Sequence, residues 1–146
     1  MKIKSRYMSS IICGLLLLAT TVPLAARAQS LVDLTTPSNG TVTYCDSLDP
    51  YLGTKAFDDG SVKDSGSRWL ASSSSFPDSW VQFQFNDGPE LVNAYRIWNL
   101  TAFDATTRAP RNFKLEGSND GTAWTLLDSR TDQTGWTDAE SRFFEI

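Results

Sequence analysis

Short segments in which hydrophobic and polar residues alternate recur along the chain after residue 40. The clearest is 80–85, where Val81, Phe83 and Phe85 alternate with two glutamines. A period of two indicates a β-strand with one buried and one exposed face, because successive side chains of a strand point to opposite sides. The same alternation predicts strands within 91–100 and at 113–116. Short runs rich in β-branched, aromatic and other apolar residues predict further strands at 41–45, 124–129 and 142–146.

The connections between these segments are rich in Gly, Asn, Asp, Ser and Pro, and no segment has the pattern of a long helix. The loop 117–121 (GSNDG) ends in Asp-Gly, a strong signal for a hairpin that joins 113–116 to 124–129. Regularly spaced short strands without intervening helices predict an all-β fold, either a β-sandwich or a jelly roll. The length of 146 residues and the lack of a linker predict one such domain, at 29–146.

Residues 1–28 have the pattern of a secretory signal peptide. Three basic residues within the first six precede a short apolar stretch at 11–19, and Ala26 and Ala28 supply the small residues that a signal peptidase requires. The apolar stretch is shorter than the ~20 residues of a membrane-spanning helix. We therefore expect the mature chain to be secreted, periplasmic or held at the cell surface, without insertion into a membrane.

The composition of the predicted mature chain excludes several function classes. Residues 29–146 carry nine basic and seventeen acidic side chains, a net charge of −8, which disfavours nucleic-acid binding. The sequence contains no His, which excludes Ser–His–Asp and Cys–His nucleophiles and His-ligated metals. A glycosidase would need two carboxylates across a sugar cleft, whereas acids scattered on solvated faces explain the composition more simply. We expect no enzymatic activity.

Seven segments resemble the discoidin, or coagulation-factor type C, superfamily, and more specifically bacterial carbohydrate-binding modules with the galactose-binding-domain-like fold. They occur in the order found in the family and span nearly the whole of 29–146. The segments are KAFDDG (55–60), RWL (68–70), WVQF (80–83), AYRI (94–97), RAPRNF (108–113), LEGSNDG (115–121) and WTLLD (124–128).

The resemblance implies a jelly-roll β-sandwich that binds ligands through loops at one end and is not itself catalytic. Members of the family continue past the position of Ile146 with strands that pair back near the N-terminus and close the barrel. We therefore expect the domain to be truncated at its C-terminal end and to lack its last strands. A seam between strands would then be exposed and would need a partner.

The resemblance also implies a structural calcium ion. The matching positions are Lys55 through its main-chain carbonyl, Asp58 through its carboxylate, and Ser67, two residues before Trp69. A loop dense in carboxylates, hydroxyls and carbonyls suits a hard cation with about six to eight oxygen ligands. The glutamate that completes the set in the family lies in the missing C-terminal part, so we expect calcium affinity to be reduced or lost. The alternative is a solvated acidic turn, for which Asp-Asp-Gly is ordinary.

A sugar site needs an aromatic platform for apolar C–H faces beside fixed hydrogen-bonding groups. Arg108 matches an arginine that hydrogen-bonds the ligand in related modules. Asn99 and Arg111 lie near it in the sequence and add polar groups, and Trp136, in the polar loop 131–140, is the candidate platform. The alternatives are structural, since Trp136 could cover a sheet edge and Arg108 could pair within its own loop. The sugar-binding His residues of the family have no counterpart.

These expectations describe a secreted, non-catalytic carbohydrate-binding module that recognises glycans through loop residues, with a structural calcium ion. Its partners would be a glycan or polysaccharide and further domains of a longer parent protein, which it would hold near the glycan. Two alternatives stay open, namely an adhesion module for protein or phospholipid and a truncated remnant of a larger secreted hydrolase. Polar loops and a net charge of −8 disfavour a phospholipid surface.

Overall fold

The computed structural model describes residues 2–5, 32–57, 66, 68–72, 78–100 and 108–146, the first of these ranges by its backbone alone. The described chain is all-β, as its alternating pattern predicts, with a turn of 3-10 helix at Gly53–Phe57. Within these residues no helix has the length and apolarity needed to span a bilayer. The strands are β1 Lys2–Ser5, β2 Gly40–Tyr44, β3 Trp80–Phe85, β4 Ala94–Trp98, β5 Phe113–Gly117, β6 Thr125–Arg130 and β7 Ser141–Glu145.

These strands form two sheets, consistent with the β-sandwich class. One sheet has five strands in the order β2-β3-β1-β5-β6, and the other pairs β4 with β7. All the pairs among β2 to β7 are antiparallel, whereas β1 runs parallel to both of its neighbours. Each strand from β2 to β7 overlaps a segment that the sequence assigns to a strand, so those predictions are confirmed.

The predicted hairpin at 117–121 is confirmed, because β5 and β6 are antiparallel neighbours joined by this loop. The Asp120 carboxylate accepts hydrogen bonds from the amides of Thr122 and Ala123, both at 2.8 Å. These bonds hold the pKa of Asp120 far below its usual range, although the side chain is exposed. Gly121 has a φ of 74°, which glycine adopts without the steric cost that other residues meet.

The alternating residues of β3 form the core of the larger sheet. Val81, Phe83 and Phe85 are 1%, 3% and 5% exposed, so the face predicted to be buried is buried. The rings of Phe83 and Phe85 lie 5.1 Å apart in an edge-to-face contact. A Cβ atom on Gly40 of the neighbouring strand would collide with the Phe83 ring, which is why this position accepts only glycine.

A second cluster joins the two sheets. Tyr95 of β4 stacks on Phe144 of β7 with ring centroids 5.0 Å apart, and both rings meet Phe113 of β5 in edge-to-face contacts. Ile97 and Trp136 complete the cluster. The inner face of the β4–β7 pair is therefore packed on the larger sheet, and the outer face is left for other contacts.

The first strand was not expected from the sequence. Lys2–Ser5, which lie within the predicted signal peptide, form β1 between β3 and β5 at the centre of the larger sheet. Residues 6–31, including the apolar stretch and the cleavage site, lie outside the described residues. Signal-peptide function therefore stays a prediction, and the space between β3 and β5 is filled by a strand from the same segment.

Candidate functional site

The outer face of the β4–β7 pair carries large exposed side chains. In this ladder Arg96 pairs with Phe143, and Trp98 pairs with Ser141. Because Tyr95 and Ile97 point into the core, their neighbours Arg96 and Trp98 point outward. Phe143 is outward for the same reason, since the next residue of β7 is buried.

Arg96, Trp98 and Phe143 form one continuous group, which we call the aromatic face. Trp98 is 48% exposed and Phe143 is 41% exposed. The guanidinium carbon of Arg96 lies 5.6 Å from the centre of the Trp98 ring and 5.7 Å from the centre of the Phe143 ring. The cation therefore lies within cation–π distance of both rings and helps to order them.

The aromatic face combines the two kinds of group that recognise a saccharide. Exposed rings offer flat apolar surfaces on which C–H groups stack, and burying them in a complex is favourable because it removes apolar area from water. The guanidinium of Arg96 offers up to five N–H donors beside these rings. Large contiguous apolar surface on a protein indicates an interaction site more often than single exposed residues do.

A polar contact on the inner side of the β4–β7 pair connects this pair to the larger sheet. The Tyr95 hydroxyl donates a hydrogen bond to Asp128 Oδ2 at 2.6 Å, and Arg130 Nε donates to the same oxygen at 2.6 Å. Arg130 also lies over the Phe144 ring, with its guanidinium carbon 5.0 Å from the ring centre, and donates to the carbonyl of Glu145 at 3.2 Å. Asp128 therefore links the hairpin strand β6 to β4, and Arg130 links it to β7.

The same contact perturbs the ionisation of its members. Burial and the hydrogen bond to Asp128 raise the pKa of Tyr95 far above its ordinary value. Burial alone would raise the pKa of Asp128, but hydrogen bonds from Tyr95 and Arg130 outweigh it and lower the pKa overall. The hydrogen bond to Asp128 raises the pKa of Arg130, which stays charged. The group is thus an ionised carboxylate with two donors, which suits a structural role.

Trp136 does not have the exposed ring that a sugar platform requires. It is 3% exposed and belongs to the cluster between the sheets. Its indole N–H donates to the carbonyl of Gln133 at 2.9 Å, and the guanidinium carbon of Arg142 lies 4.0 Å from the ring centre. Arg142 in turn bonds Glu140 at 2.6 Å and the carbonyl of Thr134 at 3.0 Å. The polar loop therefore folds back over Trp136, and the structural alternative fits this residue.

Asn99 is also structural in its contacts. It is 3% exposed and directly follows β4. Its side-chain amide donates to the carbonyl of Thr137 at 2.8 Å, its side-chain oxygen accepts the amide of Leu100 at 3.0 Å, and its own amide donates to the carbonyl of Glu140 at 2.7 Å. With its polar groups used and its side chain buried, Asn99 has little surface left for a ligand.

The two predicted arginine ligands are exposed. Arg111 donates from Nη2 and Nε to Asp132 Oδ1 at 2.8 and 3.3 Å, and the two side chains are 66% and 75% exposed. Arg108 lies just after the undescribed stretch 101–107, and the next residue, Ala109, packs against the cluster between the sheets. The structure therefore keeps both arginines accessible, while Asn99 and Trp136 are buried.

The predicted calcium ligands are described only in part. Lys55 lies in the 3-10 helix, where its amide donates to the carbonyl of Leu52 at 2.9 Å. Asp58 and Ser67 lie outside the described residues. Among the residues that the structure covers, no group of three or more His, Cys, Asp or Glu side chains could hold a metal ion. A calcium ion at this position therefore stays a prediction, and we assign it no step in recognition.

The sequence itself contains a signal for the aromatic face, although the sugar ligands predicted from it lie in loops. A tryptophan that shares the polar side of an alternating strand with an arginine must be exposed if the strand's other side is core. Trp98 meets this condition, and Phe143 shares its face of the neighbouring strand with the polar residues Ser141 and Glu145.

Comparison with known proteins adds no family: no protein-family model, no curated protein and no solved structure matches the chain significantly.

Proposed function

We propose that the chain is a non-catalytic carbohydrate-binding module that uses the aromatic face to bind glycans. The observation that carries the proposal is the position of Arg96 between two exposed aromatic rings on one sheet face. Sugar rings have apolar C–H faces and outward hydroxyls, so they stack on Trp98 and Phe143 and accept hydrogen bonds from Arg96. Arg108 and Arg111 are exposed, and both stay proposed as further hydrogen-bonding ligands for a glycan.

A glycan fits this surface better than a phospholipid or a protein, the two ligands of the alternative adhesion module. A phospholipid surface would attract a basic patch, whereas the predicted mature chain carries a net charge of −8. A stable protein interface would bury a larger area with an apolar centre, whereas here two rings flank a charged group. Two rings and one guanidinium form a small contact surface, and weak contacts of this kind become effective when several copies or domains act together.

The proposal includes the finer features that the resemblance implies. The two sheets would belong to a jelly-roll sandwich, and the predicted leader would direct the chain to a secreted, periplasmic or cell-surface location. A calcium ion held by Lys55, Asp58 and Ser67 would be structural and would take no part in a chemical step. Glycan binding would hold an attached domain or surface close to its target.

Affinity electrophoresis in gels containing soluble polysaccharides, followed by a glycan array, tests the proposal on the full chain. Trp98→Ala should reduce retention by at least about fivefold, because stacking on an aromatic ring contributes on the order of 1 kcal/mol or more. Phe143→Ala should give a smaller loss, and the double variant should abolish retention. The far-UV spectrum and the melting temperature should stay close to those of the parent, because both rings are on the outer face.

Leu126→Ala is the matched control, since Leu126 is an exposed apolar residue of β6 in the other sheet, at 54% exposure. Its retention should equal that of the parent. If the double variant of Trp98 and Phe143 is retained as strongly as the parent, the aromatic face is not the glycan-binding surface. A parent chain that no polysaccharide or array glycan retains would refute glycan binding itself.

A further inference from the structure

The positive charge of Arg96 has no negatively charged partner among the residues that the structure describes. By contrast, Arg111, Arg130 and Arg142 each form an ion pair with a carboxylate, at 2.8, 2.6 and 2.6 Å. Arg96 is exposed, and within the described chain its guanidinium interacts with the two rings of the aromatic face. The charge is therefore available to an anion that does not belong to the chain.

The distances to the two rings leave the guanidinium accessible. In the buried pair of Arg142 and Trp136, the guanidinium carbon lies 4.0 Å from the ring centre. The corresponding distances from Arg96 to its two rings are 5.6 and 5.7 Å, near the outer limit of about 6 Å for a cation–π contact. The rings therefore flank the guanidinium without stacking tightly on it, and its N–H groups stay open to a ligand that lies on the rings.

The charges near Arg96 also favour an anion at this point of the surface. Glu145 is the only acidic residue of β4 and β7, and it pairs with Ala94 at one end of the ladder, whereas Arg96 pairs with Phe143 at the middle. The net charge of −8 over 29–146 repels anions at long range, but dissolved salt screens exposed charges beyond about 8 Å. At contact distance the guanidinium therefore determines the sign of the charge that binds.

We propose that the aromatic face selects acidic saccharides, and that Arg96 binds the carboxylate of a hexuronate residue whose sugar ring stacks on Trp98. This inference rests on the proposed glycan binding and names its substrate class. A guanidinium presents two parallel N–H groups that match a planar carboxylate, and such charge-assisted hydrogen bonds are about twice as strong as neutral ones. A hexuronate suits the site because its carboxylate is attached directly to the sugar ring. The ring therefore stacks while its carboxylate lies at the ring edge, beside the guanidinium.

Affinity electrophoresis of the full chain tests the substrate class. The gels contain polygalacturonate, alginate or hyaluronan, and each polymer is compared with its carboxyl-reduced form, which keeps the sugar backbone and loses the charge. We expect at least one acidic polymer to retain the chain at least about tenfold more strongly than its reduced form, because the reduced form cannot make a charge-assisted pair with Arg96. High salt should diminish this preference.

The outcomes separate this inference from the proposed function. Equal retention by the acidic and reduced forms, or retention by neutral polysaccharides alone, would overturn the acidic selectivity and leave glycan binding in place. Retention by dextran sulfate without retention by any of the three uronate polymers would overturn the assignment of a carboxylate. If neither acidic nor neutral saccharides retain the chain, glycan binding itself fails and the inference fails with it.

Two variants separate the position of Arg96 from the net charge of the chain. Arg96→Gln and Lys114→Gln each remove one exposed positive charge, but Lys114 lies on β5 of the larger sheet. Arg96→Gln should reduce retention by the acidic polymer at least about tenfold, with a smaller loss on the reduced form, while Lys114→Gln should match the parent. Both variants should keep the parent's melting temperature within a few degrees, because both side chains are exposed. Equal losses in the two variants, or unchanged retention of Arg96→Gln, would overturn the role of Arg96.

Discussion

The hydrogen bond between Tyr95 and Asp128 offers a direct test of how the two sheets are held together. Tyr95→Phe removes one hydroxyl and keeps the ring that stacks on Phe144 at 5.0 Å. Asp128 keeps its hydrogen bonds from Arg130 at 2.6 Å and from the amide of Ser129 at 2.8 Å, so the carboxylate is not left unpaired. The substitution therefore isolates one hydrogen bond to a charged acceptor.

A hydrogen bond to a charged group contributes about 1.5–3 kcal/mol to stability, and the Asp128 side chain is only 14% exposed. We therefore expect Tyr95→Phe to lower the free energy of unfolding by about 2 kcal/mol at pH 7. For a domain of roughly 120 residues, about 4 °C per kcal/mol converts this into a decrease of about 8 °C in the melting temperature. Urea unfolding followed by tryptophan fluorescence measures the free energy directly.

The pH dependence provides a second measurement. Because the pKa of Asp128 is lowered in the folded protein, its contribution to stability is present above the unfolded pKa of about 4 and is lost as the pH falls through the folded pKa. Tyr95→Phe removes one of the bonds that lower this pKa, so the variant loses less stability on acidification. The difference between parent and variant should narrow below about pH 4.

Asp128→Asn supplies the matched background, because it keeps an acceptor and removes the charge. In that background Tyr95→Phe should cost only about 1 kcal/mol, the value for a neutral hydrogen bond. A cost at pH 7 below about 0.5 kcal/mol would refute the role assigned to this bond. An equal cost of Tyr95→Phe in the parent and in the Asp128→Asn background would also refute this role.

The remaining predictions concern residues to which the sequence analysis assigned ligand roles. Trp136→Ala should lower the free energy of unfolding by about 3–5 kcal/mol in urea unfolding, because the ring is buried, and should leave the exposed aromatic face intact. Arg111→Ala is its control and should cost at most about 1 kcal/mol, because its ion pair with Asp132 is exposed. A Trp136→Ala variant that keeps its stability and loses glycan retention would restore the platform role. The predicted calcium site requires that calcium at a hundredfold excess over its dissociation constant raise the stability by about 2.7 kcal/mol, and that Asp58→Ala abolish this rise in a melting experiment.

Local sequence pattern determined most of the strands. In β3 the alternation of Val81, Phe83 and Phe85 with polar residues specifies both the strand and its buried face, because the period of a strand is a local property of the backbone. The loop that contains Asp120 and Gly121 specifies its hairpin for a similar reason, since its hydrogen bonds lie within a few residues. These elements required no knowledge of distant contacts.

The candidate site depended on contacts between residues far apart in the chain. Trp136 lies in a polar loop, which suggests exposure, yet it is buried because the loop folds over the cluster that contains Ile97 and Phe144. Trp98 and Ile97 lie on opposite faces of one strand, and Trp98 is the exposed one because Ile97 lies in the cluster between the sheets. Only the packing of the two sheets decides which of these two tryptophan rings is buried and which is exposed.

The sequence by itself therefore determined the strand pattern, the all-β class, the charge and the exclusion of His-based chemistry. The tertiary structure alone decided which aromatic rings meet solvent, and it placed Lys2–Ser5 between β3 and β5. The physical reason is the range of the interactions involved. Backbone periodicity and turn geometry act over a few residues, whereas burial and strand order depend on segments that meet only when the chain folds.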